Sequence, residues 1–200
     1  MNVNGQQAAA GQPKITLKKA WSHLKTITHH RHLVCRGCWA VGLYRQGLMH
    51  DLSKYSPTEF LIGARYFQGT RSPNNAEREA TGVSTAWLHH KGRNRHHYEY
   101  WLDYSGKRSD GINGSGIIPC RMPLRYVAEM FMDRIAACKT YHGAAYRDSD
   151  PLDYYVKGNT RQFLHPDTAD LLEEMLKMLA EDGEEKAFAY VRQLLKQGSY

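Results

Sequence analysis

Apolar residues recur every three or four positions along most of the chain, which is the spacing of one face of an α-helix. The clearest stripe lies within residues 124–141 and contains Val127, Phe131, Ile135 and Cys138. Patterns that alternate at every second residue are nearly absent. The sequence therefore predicts an all-α fold.

Four further helical stretches are predicted upstream of this stripe. They cover residues 15–27, 28–44, 57–69 and 76–101. The third follows Ser56-Pro57-Thr58-Glu59, a capping box with proline at the first helical position. Gly82 and Gly92 are weak points within the fourth stretch, because glycine is a poor helix former.

The C-terminal part of the chain predicts a helical hairpin. Asp167 is expected to cap a first helix, Gly183 to end it, and a second helix with Phe188 and Val191 to follow. Residues 103–123 are rich in glycine and proline, which predicts a long loop. We expect residues 14–200 to form one helical domain and residues 1–13 a flexible tail.

The chain has 200 residues, a net charge of +7 and a hydrophobic content of 42%, enough apolar material for a globular core. A basic balance favours phosphate-bearing partners. No apolar run approaches the ~20 residues that cross a bilayer, and the N-terminus lacks the features of a signal peptide. We therefore expect a cytoplasmic protein without a membrane partner, and its four cysteines to be free thiols. Cys35 and Cys38 could form half of a zinc site, but no second such pair follows, so core positions are favoured for them.

Histidines and aspartates occur in an order that predicts a metal centre. Imidazole and carboxylate are ligands of the divalent metals that activate water. The candidate ligands are His30, His50, Asp51, His89, His90, His96, His97 and Asp133.

The ligand on the first helices is the least certain by position alone, because four histidines compete there. They are His23, His29, His30 and His32. In the later cluster, residues seven apart project the same way from a helix, so His89 and His96 would form one stripe. Two or three of the four histidines there would reach a common ion, and the others would orient the ligands.

Asp133 lies in an apolar run, where a carboxylate is costly to bury unless it is paired or metal-bound. A salt bridge to Arg125 or Arg134 is the alternative to a metal role, and Glu129, one turn earlier, is the next candidate ligand. The candidate catalytic residues are Asp51, Lys54, Arg93 and Asn94. Lys54 and Arg93 would neutralise phosphate, and Asn94 would either form a hydrogen bond to a ligand or cap a broken helix.

This order of histidines and aspartates resembles the HD superfamily of metal-dependent phosphohydrolases. The segments 47–60, 66–79, 86–101 and 122–141 are similar, more closely, to an uncharacterised HD-like family of bacterial and phage proteins. The resemblance implies an HD-domain-like helical bundle in which His30, His50, Asp51 and Asp133 hold one divalent ion. It ranks His30 first and His32 second as the upstream ligand, because superfamily members often have a valine four positions after this histidine, as Val34 follows His30, while His23 and His29 fit surface or supporting roles. Histidines between them would hold a second.

The function that the resemblance implies is metal-dependent hydrolysis of a phosphate ester or anhydride, as in a nucleotidase or phosphodiesterase. One or two ions of Mn, Fe, Zn, Mg, Co or Ni would activate the water. The expected substrate is a phosphate-bearing small molecule, most plausibly a nucleotide. A di-iron oxygenase, and a non-catalytic regulatory or nucleic-acid-binding module with a structural metal, stay open as alternatives, as does a homodimer.

Overall fold

Helices dominate the computed structural model, which describes residues 12–107 and 109–200. Within that part the chain is all-α, as predicted, apart from one small hairpin of strands. The predicted flexible tail falls largely outside the described residues. The helices are α1 Leu17–Ala40, α2 Tyr44–Met49, α3 Pro57–Tyr66, α4 Pro73–Thr81, α5 Thr85–Lys91, α6 Leu124–His142, α7 Asp150–Lys157 and α8 Pro166–Gln197.

The first helix is continuous, so the prediction of two helices over residues 15–44 is wrong. Thr16 caps α1 by accepting a hydrogen bond from the backbone N–H of Lys19 at 3.2 Å. The polar run over residues 28–32 lies within α1 and does not break the helix. Thr28, His29 and His32 in that run point to solvent, while His30 points into the protein.

The stretch predicted as one helix over residues 76–101 is divided in two, which corrects that prediction. Gly82 ends α4 in the left-handed conformation, with φ of 81°. Ser84 then caps α5 by accepting from the N–H of Trp87. α5 ends at Lys91, and a turn follows before a short 3-10 helix over Tyr98–Trp101.

The predicted loop over residues 103–123 contains the small sheet. Strand β1, Leu102–Tyr104, pairs antiparallel with β2, Ile117–Pro119, with Tyr104 opposite Ile117. Each strand has three residues, too few for an alternating pattern to be recognisable in the sequence. The hairpin lies directly before α6.

The core is built around α6, which packs against both α1 and α8. The predicted stripe of α6 is confirmed, since Val127, Phe131, Ile135 and Cys138 are all buried. Full burial of a side chain such as Phe131 stabilises the fold by about 1.5–3 kcal/mol. Of the described helices, none combines the length and apolarity that a bilayer crossing requires.

The C-terminal hairpin is confirmed, with a different cap. α8 changes direction at Gly183, whose φ of 84° and ψ of 175° are not helical. The hydroxyl groups of Tyr200 and Thr168 lie 2.8 Å apart, so the end of the chain returns to the start of α8. The capping side chain is His165, which accepts from the N–H of Asp167, and not Asp167 itself.

Candidate metal centre

Five segments of the chain bring their histidines and aspartates to one place in the interior. α1 contributes one residue, the connection after α2 two, the end of α5 one, the following turn two, and α6 one. The residues that meet are His30, His50, Asp51, His90, His96, His97 and Asp133. All of these are predicted ligands.

The connection after α2 positions His50 and Asp51. Asp51 adopts the left-handed conformation, with φ of 54°, which aspartate tolerates better than most residues. Arg31 of α1 donates hydrogen bonds to the carbonyl of His50 at 2.7 Å and to that of Leu48 at 2.9 Å. These bonds satisfy carbonyls at the end of α2 that have no helical partner, and they hold the turn in place.

The first ligand group contains His30, His50, Asp51 and Asp133. His30 Nε2 is 3.0 Å from Asp133 Oδ1, and His50 Nε2 is 3.3 Å from Asp51 Oδ2 and 3.6 Å from Asp133 Oδ1. Ligands at about 2.1 Å from an ion lie roughly 3.0–3.5 Å from one another. The spacing therefore fits a shared divalent ion.

The second ligand group contains Asp51, His90, His96 and His97. The Nε2 atoms of His90 and His96 lie 3.3 Å and 3.4 Å from Asp51 Oδ1. His97 Nε2 is 2.9 Å from His90 Nε2. The two oxygens of Asp51 thus face different groups, so this one carboxylate belongs to both.

Two buried glutamates support the ligands from behind. Glu129 Oε1 lies 2.9 Å from Nδ1 of His50 and 3.2 Å from Nδ1 of His96. Glu59 Oε2 lies 2.8 Å from Nδ1 of His90. With Nδ1 as the donor in each pair, the lone pair of Nε2 faces the centre, the arrangement typical of metal-binding histidines.

Several side-chain atoms of the two ligand groups that face the centre have no hydrogen-bond partner among the described residues. They include Nε2 of His50, Nε2 of His96 and Oδ1 of Asp51, all buried. A buried polar atom without a partner costs about 1–3 kcal/mol, so native proteins rarely leave several together. A divalent ion in the first group would satisfy Nε2 of His50, and one in the second would satisfy Nε2 of His96 and Oδ1 of Asp51. The donor set therefore fits a metal.

The carboxylates of the centre stay ionised. Burial alone would raise the pKa of Asp51, but the charges of His50, Lys54 and His90 hold it well below its ordinary value. The pKa of Asp133 is likewise held down by His30 and His50 against the effect of burial. Charged oxygens in a buried place attract a cation.

The pKa values of the imidazoles shift in opposite directions. Burial alone would lower the pKa of His50 and of His90, but Asp51 raises both, so these two rings would release protons on binding a metal. Burial, and then the charges of His96 and His90, lower the pKa of His97 well below the ordinary value. Burial and Lys54 also lower the pKa of His30. Both rings are therefore neutral near pH 7, the form that binds metals.

Lys54 lies at the solvent-facing edge of the centre. Its Nζ is 2.6 Å from Asp51 Oδ2, and its side chain is 27% exposed. Burial alone would lower the pKa of Lys54, but Asp51 and Asp133 raise it, so the ammonium stays charged. Asp133, 17% exposed, lies at the same edge.

The structure separates His89 from the other predicted ligands. Its Nδ1 is 2.6 Å from Glu59 Oε1, and it belongs to neither group. The predicted helical stripe that joins His89 to His96 is wrong, because α5 ends at Lys91. The turn after α5 instead lets His96 converge with His90.

The other candidates of the sequence take peripheral places. Of the α1 histidines, His32 is exposed, and His23 is buried between aromatic rings, away from the ligand groups. Arg93 is exposed and donates to the carbonyl of His89 at 3.4 Å. Asn94 Nδ2 donates to Ser53 Oγ and to the carbonyl of His90, so it holds the turn behind His90.

The sequence patterns largely failed to identify the supporting roles of Glu59 and Glu129. Glu59 matches a capping box, but Ser56 makes no side-chain cap, and the Glu59 carboxylate contacts His89 and His90 instead. Glu129 was only an alternative to Asp133. Its position one turn before Asp133 in an apolar run places both carboxylates on one helix face, and this spacing is the feature that could have identified it.

The fold and the site define a class: an all-α protein with a buried centre of histidines and carboxylates that could hold metal ions. The chain belongs to a family of unknown function (DUF5662), which matches it over residues 19–178. The match includes every residue of both ligand groups. No curated protein and no solved structure matches the chain.

Proposed function

We propose that this protein is a metal-dependent phosphohydrolase of the HD type that acts on a phosphate-bearing small molecule, with nucleotides as the favoured class. The observation that carries the proposal is the shared Asp51, whose two oxygens face two separate histidine groups. The resemblance to the HD superfamily supports the same reaction.

The ligand assignment follows from the distances. His30, His50, Asp51 and Asp133 would hold one ion, and Asp51 with the three later histidines would hold the other. A divalent metal bound there supplies Lewis acidity and lowers the pKa of water toward ~7.

The remaining residues of the centre have roles of their own. Lys54 presents a charged ammonium at the exposed edge, where it would stabilise the negative charge of a phosphate group. Glu59 and Glu129 hold the rings of His90 and His50 in one orientation. Because the ligands are buried and oriented before substrate binds, little reorganisation is needed during the reaction.

A di-iron oxygenase is the second candidate function, and the composition of the donor set favours it. Five imidazoles and a shared carboxylate suit iron as well as zinc or manganese. Metal analysis of the purified protein by mass spectrometry, with optical spectra recorded before and after exposure to oxygen, distinguishes the two functions.

The proposal is tested by hydrolysis of p-nitrophenyl phosphate, bis-p-nitrophenyl phosphate and a panel of nucleotides, with each divalent metal in turn. Asp51→Ala should lose bound metal and turnover together, because both groups lose their shared ligand. His32→Ala is the matched control, an exposed histidine on the same helix as His30. Turnover that survives in Asp51→Ala rejects the proposed centre.

A further inference from the structure

The positive charge of this protein is concentrated at one end of the sequence. The first 50 residues contain no Asp or Glu and seven Lys or Arg, which equals the net charge of +7. The rest of the chain carries 20 Lys or Arg against 20 Asp or Glu and is neutral overall. A polyanion would therefore be attracted chiefly to the region of α1.

The solvent-facing side of α1 carries cations and aromatic rings in one continuous row. Its residues follow each other at three or four positions and lie within an arc of roughly 100°. The row spans about 32 Å at 1.5 Å per residue. Its exposed members, called here the α1 basic face, are Lys18, Trp21, Lys25, His29, His32, Arg36 and Trp39.

The cations of the α1 basic face are free to bind a ligand. The ion pairs among the described residues involve other cations, and Lys18, Lys25 and Arg36 take part in none of them. Each of the three is exposed. Within residues 12–107 and 109–200, their positive charge is therefore not neutralised by an ion pair.

The aromatic residues of this face are also accessible. Trp21 is 59% exposed, with Lys25 Nζ 5.4 Å from the centre of its ring. Trp39 is 48% exposed and packs edge-on against Tyr44, itself 61% exposed. Tryptophan is enriched at binding interfaces, and these two lie at opposite ends of a row of cations.

We propose that the α1 basic face binds single-stranded nucleic acid. Lysine and arginine neutralise its phosphates, and exposed aromatic rings stack with its unpaired bases. A duplex hides its bases, and a bilayer surface would require a wide apolar stripe in place of two tryptophans among cations. The proposal goes beyond the metal centre and does not depend on it.

A second copy of the chain is the competing occupant. A groove of about 460 Å³ on α8 is lined by acidic residues, including Asp170, Glu173 and Asp182. Arg161 already pairs with Asp170 and Glu173, however, and this groove offers no aromatic partner for Trp21 or Trp39. Nucleic acid accounts for both the cations and the rings.

The test is fluorescence anisotropy of the full chain with labelled 20-nucleotide oligo(dT) and oligo(U), without added metal, at several salt concentrations. Lys14 and Arg45 flank the three cations of the face, so up to five phosphates would be contacted. The slope of log K against log salt should then be about −3.5, since each contact contributes about −0.7. Affinity should fall about a hundredfold between 50 and 200 mM salt.

Two triple variants of equal charge separate this face from the general charge of the protein. Lys18→Gln/Lys25→Gln/Arg36→Gln should weaken binding at least tenfold at 50 mM salt and reduce the slope by about 2. The matched control is Lys107→Gln/Lys157→Gln/Lys196→Gln, three exposed lysines elsewhere, which should change affinity less than twofold. Equal losses in the two variants overturn the proposal.

The aromatic contribution has its own readout. Trp21→Leu/Trp39→Leu should lower the affinity about fivefold or more with an unchanged salt slope, because stacking involves no counterions. A 20-base-pair duplex should bind more weakly than the single strand, and equal binding overturns the choice of ligand. Binding to phosphatidylserine vesicles in place of oligonucleotide also overturns the choice of ligand. A dimer of the chain that Lys18→Gln/Lys25→Gln/Arg36→Gln abolishes and the control variant does not would overturn it as well.

Discussion

Glu129 contacts a ligand of each group through one carboxylate oxygen, and its replacement is therefore informative about the whole centre. Oε1 lies 2.9 Å from His50 Nδ1 and 3.2 Å from His96 Nδ1. Burial alone would raise the pKa of Glu129, but its hydrogen bonds to His50 and His96 lower it, so the carboxylate is ionised. Glu129→Gln keeps the shape of this side chain and removes its charge.

The expected magnitude follows from the two contacts. Loss of a carboxylate that supports a metal-binding histidine typically weakens metal affinity 10- to 100-fold, or about 1.4–2.8 kcal/mol. Because Glu129 supports one histidine in each group, Glu129→Gln should weaken both ions by this factor. Glu59 supports only His90 among the ligands, so Glu59→Gln should weaken one ion and leave the other unchanged.

The assay is a titration with Mn²⁺ or Zn²⁺ by isothermal calorimetry, or by competition with a chromophoric chelator, with the metal content counted after dialysis. The wild-type chain should bind two ions. At a metal concentration near the weaker dissociation constant of the wild type, Glu59→Gln should retain about one ion. Glu129→Gln should retain fewer ions than both the wild type and Glu59→Gln. Glu185→Gln, at an exposed position of α8, is the matched control and should bind as the wild type does.

Circular dichroism shows whether each variant is folded. The reasoning fails if folded Glu129→Gln binds metal with the affinity and stoichiometry of Glu185→Gln. It also fails if the losses in Glu59→Gln and Glu129→Gln are equal for both ions, since the two glutamates contact different sets of ligands.

Four further outcomes follow from the structure. Removing metal with a chelator should lower the melting temperature, because an ion at 100 times its dissociation constant stabilises the fold by about 2.7 kcal/mol. An unchanged melting curve would count against the metal centre. Burial, then the charge of Lys54, lower the pKa of His23 to about 4. Below about pH 6.5 the unfolded chain therefore binds a proton at His23 that the folded chain binds only near pH 4. The free energy of unfolding should fall across this window by up to about 3 kcal/mol. Denaturant titrations should show a smaller fall in His23→Gln than in the wild type. Gly63→Ala should cost about 1–3 kcal/mol, because a Cβ there would overlap the His23 ring, and an unaltered denaturation midpoint would contradict this packing. Gly183→Ala should lose about 1–3 kcal/mol in the same measurement, because φ of 84° with ψ of 175° is a conformation for glycine alone; equal stability would mean that the bend of α8 is formed differently.

Much of the helical architecture could be predicted because it depends on local spacing. The apolar period of α6 and the glycine that divides α8 are properties of neighbouring residues, and both predictions are confirmed. The break between α4 and α5 was harder to predict from the sequence. It depends on Glu77, whose carboxylate accepts hydrogen bonds from the hydroxyls of Ser84 and Thr85 and holds the start of α5 against α4.

The ligand set was largely predictable, whereas its division into two groups was not. Residue type and order identify His50 and Asp51 as candidate ligands, because imidazole and carboxylate are the side chains that bind divalent ions. No spacing rule could exclude His89 in favour of His96, since that choice depends on where the turn after α5 carries the chain. Sequence patterns specify such turns weakly, because their geometry is set by contacts with distant segments.

The sequence by itself determined the class of fold and the chemistry available to this protein, because helical periodicity and side-chain identity are local properties. Only the tertiary structure decided that Asp51 serves both ligand groups, that Glu59 and Glu129 orient the rings behind them, and that the cations of α1 share one exposed face. These arrangements arise when segments far apart in the chain pack around α6. Their cause is the burial of that common core, which no single segment contains.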